Sequence, residues 1–210
     1  MLNYEDHLNH LLKNREGINV HSIHFVKHSV LNKEPKEQLE AISLNKLQPV
    51  FFSIDGEGYC DKGMLNSNGS DVQGCVLNVI ISGAVSQIIL IQSDVRRKPE
   101  LTLKQQKTWD CIMQLSALAH ELGHVEDMQK KNGSNFLFGE QPTVDLVKAE
   151  AYAHAFSLNY LKKIGSTVGL PIIAKSLYKL HAANKPFEKE LYLSLCILVG
   201  KGRLKKWANA

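Results

Sequence analysis

The chain contains no run of about 18 apolar residues, the length that a membrane-crossing helix needs, so no membrane insertion is expected. Its opening stretch, MLNYEDHLNHLLKNREG, carries acids early and lacks the apolar core of a signal peptide. Cysteine is sparse and scattered. Cys60, Cys75, Cys111 and Cys196 form no C-x-x-C pair, and the expectation is reduced, mostly buried thiols in a cytoplasmic protein. Export of the folded chain by a specialised secretion machine is the alternative. There is no repeat and no low-complexity linker. The basic excess is small, +4, with no long Lys/Arg block and no stripe of basic and aromatic residues, so no nucleic-acid partner is expected. The most basic stretch, Lys201 to Trp207, reads as a solvated helix end, with a docking patch as the other reading.

What is present is an ordinary globular composition, 44% hydrophobic, over 210 residues, which fits one domain. Tyr4, Leu8, Leu11 and Leu12 recur at helical spacing over 4–14. The segment 18–26 reads as extended, with Val20, Phe25 and Val26 as apolar anchors, and Glu34 to Leu44 reads as a short helix with Pro35 in its first turn. Val50–Ile54, Val76–Ile81 and Ser86–Gln92 read as strands, and Gly83 marks a hairpin between the last two. Asp55 to Gly74, rich in Gly, Ser, Asn and Asp, reads as a long loop bordering a cleft. Beyond Pro99 the pattern turns helical. Thr102 to Gln105 has the form of a capping box, and the helix it opens runs to a stop at Asn132-Gly133. Further helices are expected from Pro142-Thr143 to about Gly165, from Pro171 to about Ala183 and from Pro186 to about Val199. This order predicts an α+β fold rather than alternating β-α units.

The chemistry lies in His120-Glu121-Leu122-Gly123-His124, deep inside the first of these long helices. Residues four apart lie on one helix face, so His120 and His124 can aim two imidazole nitrogens at one zinc ion. Glu121 then stands beside the metal, where a carboxylate can take a proton from zinc-bound water. Gly123 weakens a helix by about 1 kcal/mol relative to Ala, and the compensation expected is room for a strand or a substrate to approach the metal. The positions that would continue a metzincin motif hold Asp127 and Lys130, which excludes that class. The third ligand is expected to be Glu150, in the Ala-rich run Lys148 to Phe156. His154, one turn further, is a competing ligand, a proton donor to the tetrahedral intermediate, or an ordinary core or surface histidine. Asp127 reads either as a carboxylate orienting a ligand or as an ordinary exposed acid. Tyr152 reads as a packing residue or as a phenol that binds the oxyanion. His21, His24 and His28 share no periodicity and read as surface and turn positions.

Leu118 to His124, followed by Glu150-Ala151 on an Ala-rich helix, resembles the ImmA/IrrE-type metallopeptidases and gluzincins more broadly. The resemblance implies zinc held by His120, His124 and Glu150, with Glu121 as the base. It also implies a strand before the active-site helix, for which Ser86–Ser93 is the equivalent, an edge to which a substrate backbone adds. Short bacterial effector proteases of H-E-x-x-H type are a second group that the sequence resembles.

The resulting expectation is an α+β, zincin-like domain over 1–210, with a small twisted sheet packed on the active-site helix. N-terminal helices and sheet occupy 1–99, zinc-binding helices 100–165 and C-terminal helices 166–210. The expected activity is zinc-dependent hydrolysis of peptide bonds in a specific protein or peptide substrate. A catalytically silent zinc-binding interaction module is the rival from another class. The sequence does not address oligomeric state.

Overall fold

Two neighbouring segments rich in β-branched residues build the centre of the sheet. Strands β5 (Gly74–Ile81) and β6 (Ala84–Gln92) pair antiparallel, with Leu77 opposite Ile88. Ser82 and Gly83, both at positive φ, close the hairpin expected at Gly83. In the computed structural model, residues 2–50, 53–54, 57–58, 73–95, 97–132 and 146–210 are described. Strand β1 (Ser22–Val26) runs parallel to β6 on its other side, and β2 (Gln48–Pro49) pairs antiparallel with β5. The order β1-β6-β5-β2 makes a small mixed sheet of four strands. A separate pair, β3 (Ser53–Ile54) and β4 (Glu57–Gly58), falls within the segment expected to be a strand followed by a long loop. Residues 51–52, 55–56 and 59–72 of that segment lie outside the described residues.

Strand β6 is internal, which corrects the expectation that Ser86–Ser93 forms an edge. The physical reason lies in its composition. Ile89 and Ile91 join the core under the long helices, while Ile88 and Leu90 join a second core with Leu31 and Leu39. A strand apolar on both faces needs cover on both, and neighbours on both sides come with that position. Leu31 and Leu39 belong to α2 (His28–Leu31) and α3 (Pro35–Ala41), which pack on the sheet face opposite the long helices. In β1, Val26 is buried while Phe25 is 40% exposed, so Phe25 is not the anchor expected; successive strand side chains point to opposite faces. His24 lies within β1 and is half-buried rather than in a turn.

Helix α4 (Leu103–Asn132) is 30 residues long. Its start is the capping box expected at Thr102: the Gln105 amide donates to Thr102 Oγ1, and the Thr102 amide donates to Gln105 Oε1. Ile112, Leu115, Leu118, Ala119, Leu122 and Val125 bury almost completely against the sheet and the other helices. Helix α1 (Tyr4–Asn14), present as expected, packs against α4. Helix α5 (Leu146–Lys163) follows the stretch 133–145, so the expected stop at Gly133 and start at Pro142-Thr143 lie outside the described residues. Along α4 and α5, Ser116 meets Ser157, Gly123 meets Ala153 and Lys130 meets Tyr152. Numbers rise on one helix as they fall on the other, so the two run antiparallel.

Helices α6 (Gly169–Lys179), α7 (Pro186–Leu195) and α8 (Lys201–Ala208) complete an α+β fold that is mostly helical. The helix expected to run to Val199 leaves α geometry at Leu195 and continues as a π turn, Cys196–Gly200. Helix α8 is more than a solvated end, since Leu204, Trp207 and Ala208 join the main core. Ser166 ties the N-terminal helix to the start of α6. Its hydroxyl lies 3.0 Å from the Tyr4 hydroxyl and accepts the Gly169 and Leu170 amides at the start of α6.

Gly123 sets the spacing of α4 and α5. A Cβ there would fall 2.8 Å from Ala153 Cα and 2.9 Å from Phe156 Cβ. The glycine therefore makes room for a neighbouring helix rather than for a strand or substrate. Gly123→Ala gains about 1 kcal/mol of helix propensity but overpacks backbone, at a cost of about 1–3 kcal/mol. Urea unfolding is expected to show a net loss of stability, larger for Gly123→Val. A stabilised Gly123→Ala protein would contradict the close approach.

Candidate metal centre

One turn of α4 separates His120 from His124 and brings their Nε2 atoms to 3.0 Å, with the rings nearly perpendicular. Glu150 reaches across from α5 and spans both: Oε2 lies 3.4 Å from His120 Nε2, and Oε1 lies 3.4 Å from His124 Nε2. The three side chains offer donor atoms that all lie within 4.8 Å of one another. Tetrahedral zinc with ligands at about 2.0–2.1 Å places neighbouring donors about 3.3 Å apart. The separations of 3.0 and 3.4 Å match that edge length, so the donor set fits such an ion. The three side chains are 18–19% exposed, buried enough to hold a ligand and open enough to admit a reactant.

The electrostatics follow from the crowding. Burial opposes charge on His124, but Glu150, with Glu121 and Asp127 nearby, outweighs it and raises the pKa to about 9. Burial also works against the Glu150 carboxylate, yet His124 and His120 hold it well below the usual carboxylate range. The cluster thus keeps its carboxylate ionised beneath two imidazoles, and a bound cation would act on Glu150 in the same sense.

Glu121 is buried at 6% exposure on the same turn of α4. Its side chain lies under the first residue of β5: a Cβ on Gly74 would fall 2.9 Å from Glu121 Cγ and 3.0 Å from its Oε1. In the sequence Gly74 stands only as the end of a loop. The available signal was a glycine at the start of a strand, a common mark of close backbone approach. Without a side chain at that position, the strand can cover the carboxylate without displacing it.

His154 stands one turn along α5, with its ring 4.4 Å from that of His120 and its Nε2 3.8 Å from Glu150 Oε2. Burial first, and then His120 and His124, push its pKa down to about 3. The neutral imidazole is favoured there, and it keeps one N–H that can donate a hydrogen bond. Asp127 is buried rather than exposed, and its charge favours the protonated form of His124. Tyr152 points elsewhere. Its hydroxyl donates to Glu126 Oε2 at 2.6 Å and accepts from Lys130 Nζ at 2.7 Å, so the phenol is engaged away from the His-His-Glu group.

Zinc titration of metal-free protein is expected to show one strong site, weakened on the order of a hundredfold or more by His120→Ala, His124→Ala or Glu150→Ala. Asp127→Asn is expected to cost about 10–100-fold, and His154→Ala to leave the stoichiometry unchanged. Retained zinc in Glu150→Ala, with loss in His154→Ala, would move the third ligand to His154.

Comparison with protein-family models, with curated proteins and with solved structures finds no match.

Proposed function

We propose that this chain is a zinc-dependent endopeptidase of zincin-like architecture, acting on a specific protein or peptide substrate. The observation that supports it best is the convergence of His120, His124 and Glu150 beside the buried carboxylate of Glu121. A structural zinc site has no need of a fourth, non-ligating acid, and this favours a catalyst over a silent zinc-binding module. The resemblance of Leu118 to His124 and Glu150-Ala151 to the ImmA/IrrE-type enzymes and gluzincins implies the same three ligands and the same base.

His120, His124 and Glu150 would hold the ion. Zinc, when bound, supplies a Lewis acid that polarises a scissile carbonyl and lowers the pKa of water towards neutrality. The remaining work falls to the chain. Glu121 takes the proton of the attacking water on its carboxylate and returns it to the leaving amine nitrogen. Gly74 and the strand it opens shield that carboxylate from bulk water and fix its position. His154, whose ring lies 4.4 Å from that of His120, would donate a hydrogen bond to the oxygen that gains charge as the carbonyl is attacked. The proposed setting is cytoplasmic, with export as an effector the variant that shares the same chemistry.

Proteomic cleavage profiling of the wild type beside Glu121→Gln tests the reading. Loss of cutting with zinc content retained is the expected result, and equal cutting by both would refute it. Gly74→Ala separates position from chemistry. The added methyl presses on Glu121, so kcat is expected to fall about tenfold or more with zinc affinity unchanged. Undiminished turnover in that variant would show that the strand does not set the base.

A further inference from the structure

Charge is divided unevenly along the chain. Residues 151–210 hold ten Lys and Arg against only Glu188 and Glu190, whereas residues 1–150 hold fifteen against nineteen acids. The imbalance sharpens towards the end: Lys201, Arg203, Lys205 and Lys206 follow one another with no acid after Glu190. All four are exposed, and none forms an ion pair among the described residues.

The same part of the chain exposes aliphatic surface. Leu193, Ile197 and Leu198 are 61%, 84% and 48% exposed. They sit on the last turn of α7 and on the π turn, while Leu195 and Val199 on the opposite side bury in the core. Gly200, at φ +91°, then turns the chain into α8. That helix buries Leu204, Trp207 and Ala208 and leaves its cations outside. The outcome is an aliphatic knuckle whose next residues in sequence are a row of unpaired cations.

We infer that this face of α7, the π turn and α8 docks on an anionic lipid surface. Exposed aliphatic side chains followed directly by exposed Lys and Arg suit interfacial attachment, with Glu190, one turn before Leu193, as the one acid on that stretch. The apolar residues enter the acyl boundary and the cations meet acidic headgroups. Nucleic acid would account for the cations but gives Ile197 nothing to bury against. A second copy fits poorly, because a two-fold contact sets the same face against itself and would oppose four cations to four. Among the described residues no helix is long and apolar enough to cross a membrane, so the attachment is peripheral. It stands independently of the peptidase reading.

Flotation of the full chain with vesicles tests it. Binding is expected to vesicles of phosphatidylcholine with phosphatidylglycerol, to be absent with phosphatidylcholine alone, and to weaken as salt is raised. The double variant Leu193→Ser with Ile197→Ser, and separately Lys205→Glu with Lys206→Glu, are each expected to cut binding on the order of tenfold. Thermal melting checks that both remain folded. No flotation with acidic vesicles, or undiminished binding by the Leu193 and Ile197 variant, would overturn the inference. So would binding to duplex DNA in place of vesicles, or a dimer in analytical ultracentrifugation that Ile197→Ser dissociates.

Discussion

Helices α4 and α5 approach each other through a glycine and a run of alanines, and the candidate centre depends on that approach. Packed helices usually stand 8–10 Å apart according to the side chains between them. Here Gly123 meets the backbone of Ala153, and Ala149, Ala151, Ala153 and Ala155 are all buried. Glu150 can therefore bridge two imidazoles of α4 with one short side chain. A larger residue at Gly123 would move the carboxylate of Glu150 away from the pair it spans, without touching any of the three donors. The sheet imposes a matching constraint on the other side, since β5 can cover Glu121 only because its first residue is Gly74.

These contacts also decide which groups carry charge. Four ionisable side chains, His120, His124, Glu150 and His154, share one partly enclosed site. Glu150 stays ionised, His124 holds a proton to about pH 9, and His154 is neutral. Binding of a cation requires His124 to present a lone pair, so it is linked to release of that proton. Asp127, buried behind His124, works on the same residue. It offers the protein a way to tune the centre without contributing a donor to it.

The sequence carried the local features well and the pairing features poorly. Helix spacing in α1, the capping box at Thr102, the hairpin at Gly83 and the i, i+4 histidines are all properties of neighbouring residues, and each is present. Glu150 was legible because an acid amid alanines stands out on a helix. What failed required knowledge of the partner. Periodicity does not reveal how many neighbours a strand has, so Ser86–Ser93 reads as an edge in the sequence and is internal in the fold. Phe25 and Val26 both read as anchors in the sequence, and the pleat sends the two apart. The use of Gly123 was misassigned between strand and helix, and Gly74 was missed altogether. Both glycines act through what lies across from them. Helix α8 read as solvated because its four cations mask the buried Leu204 and Trp207.

X-ray absorption at the zinc edge, on protein loaded with one equivalent, addresses the His-His-Glu centre most directly. Two imidazoles and oxygen donors in the first shell, with no sulfur, is the spectrum expected for an ion held by His120, His124 and Glu150. A sulfur shell, or a third imidazole in place of carboxylate oxygen, would contradict it.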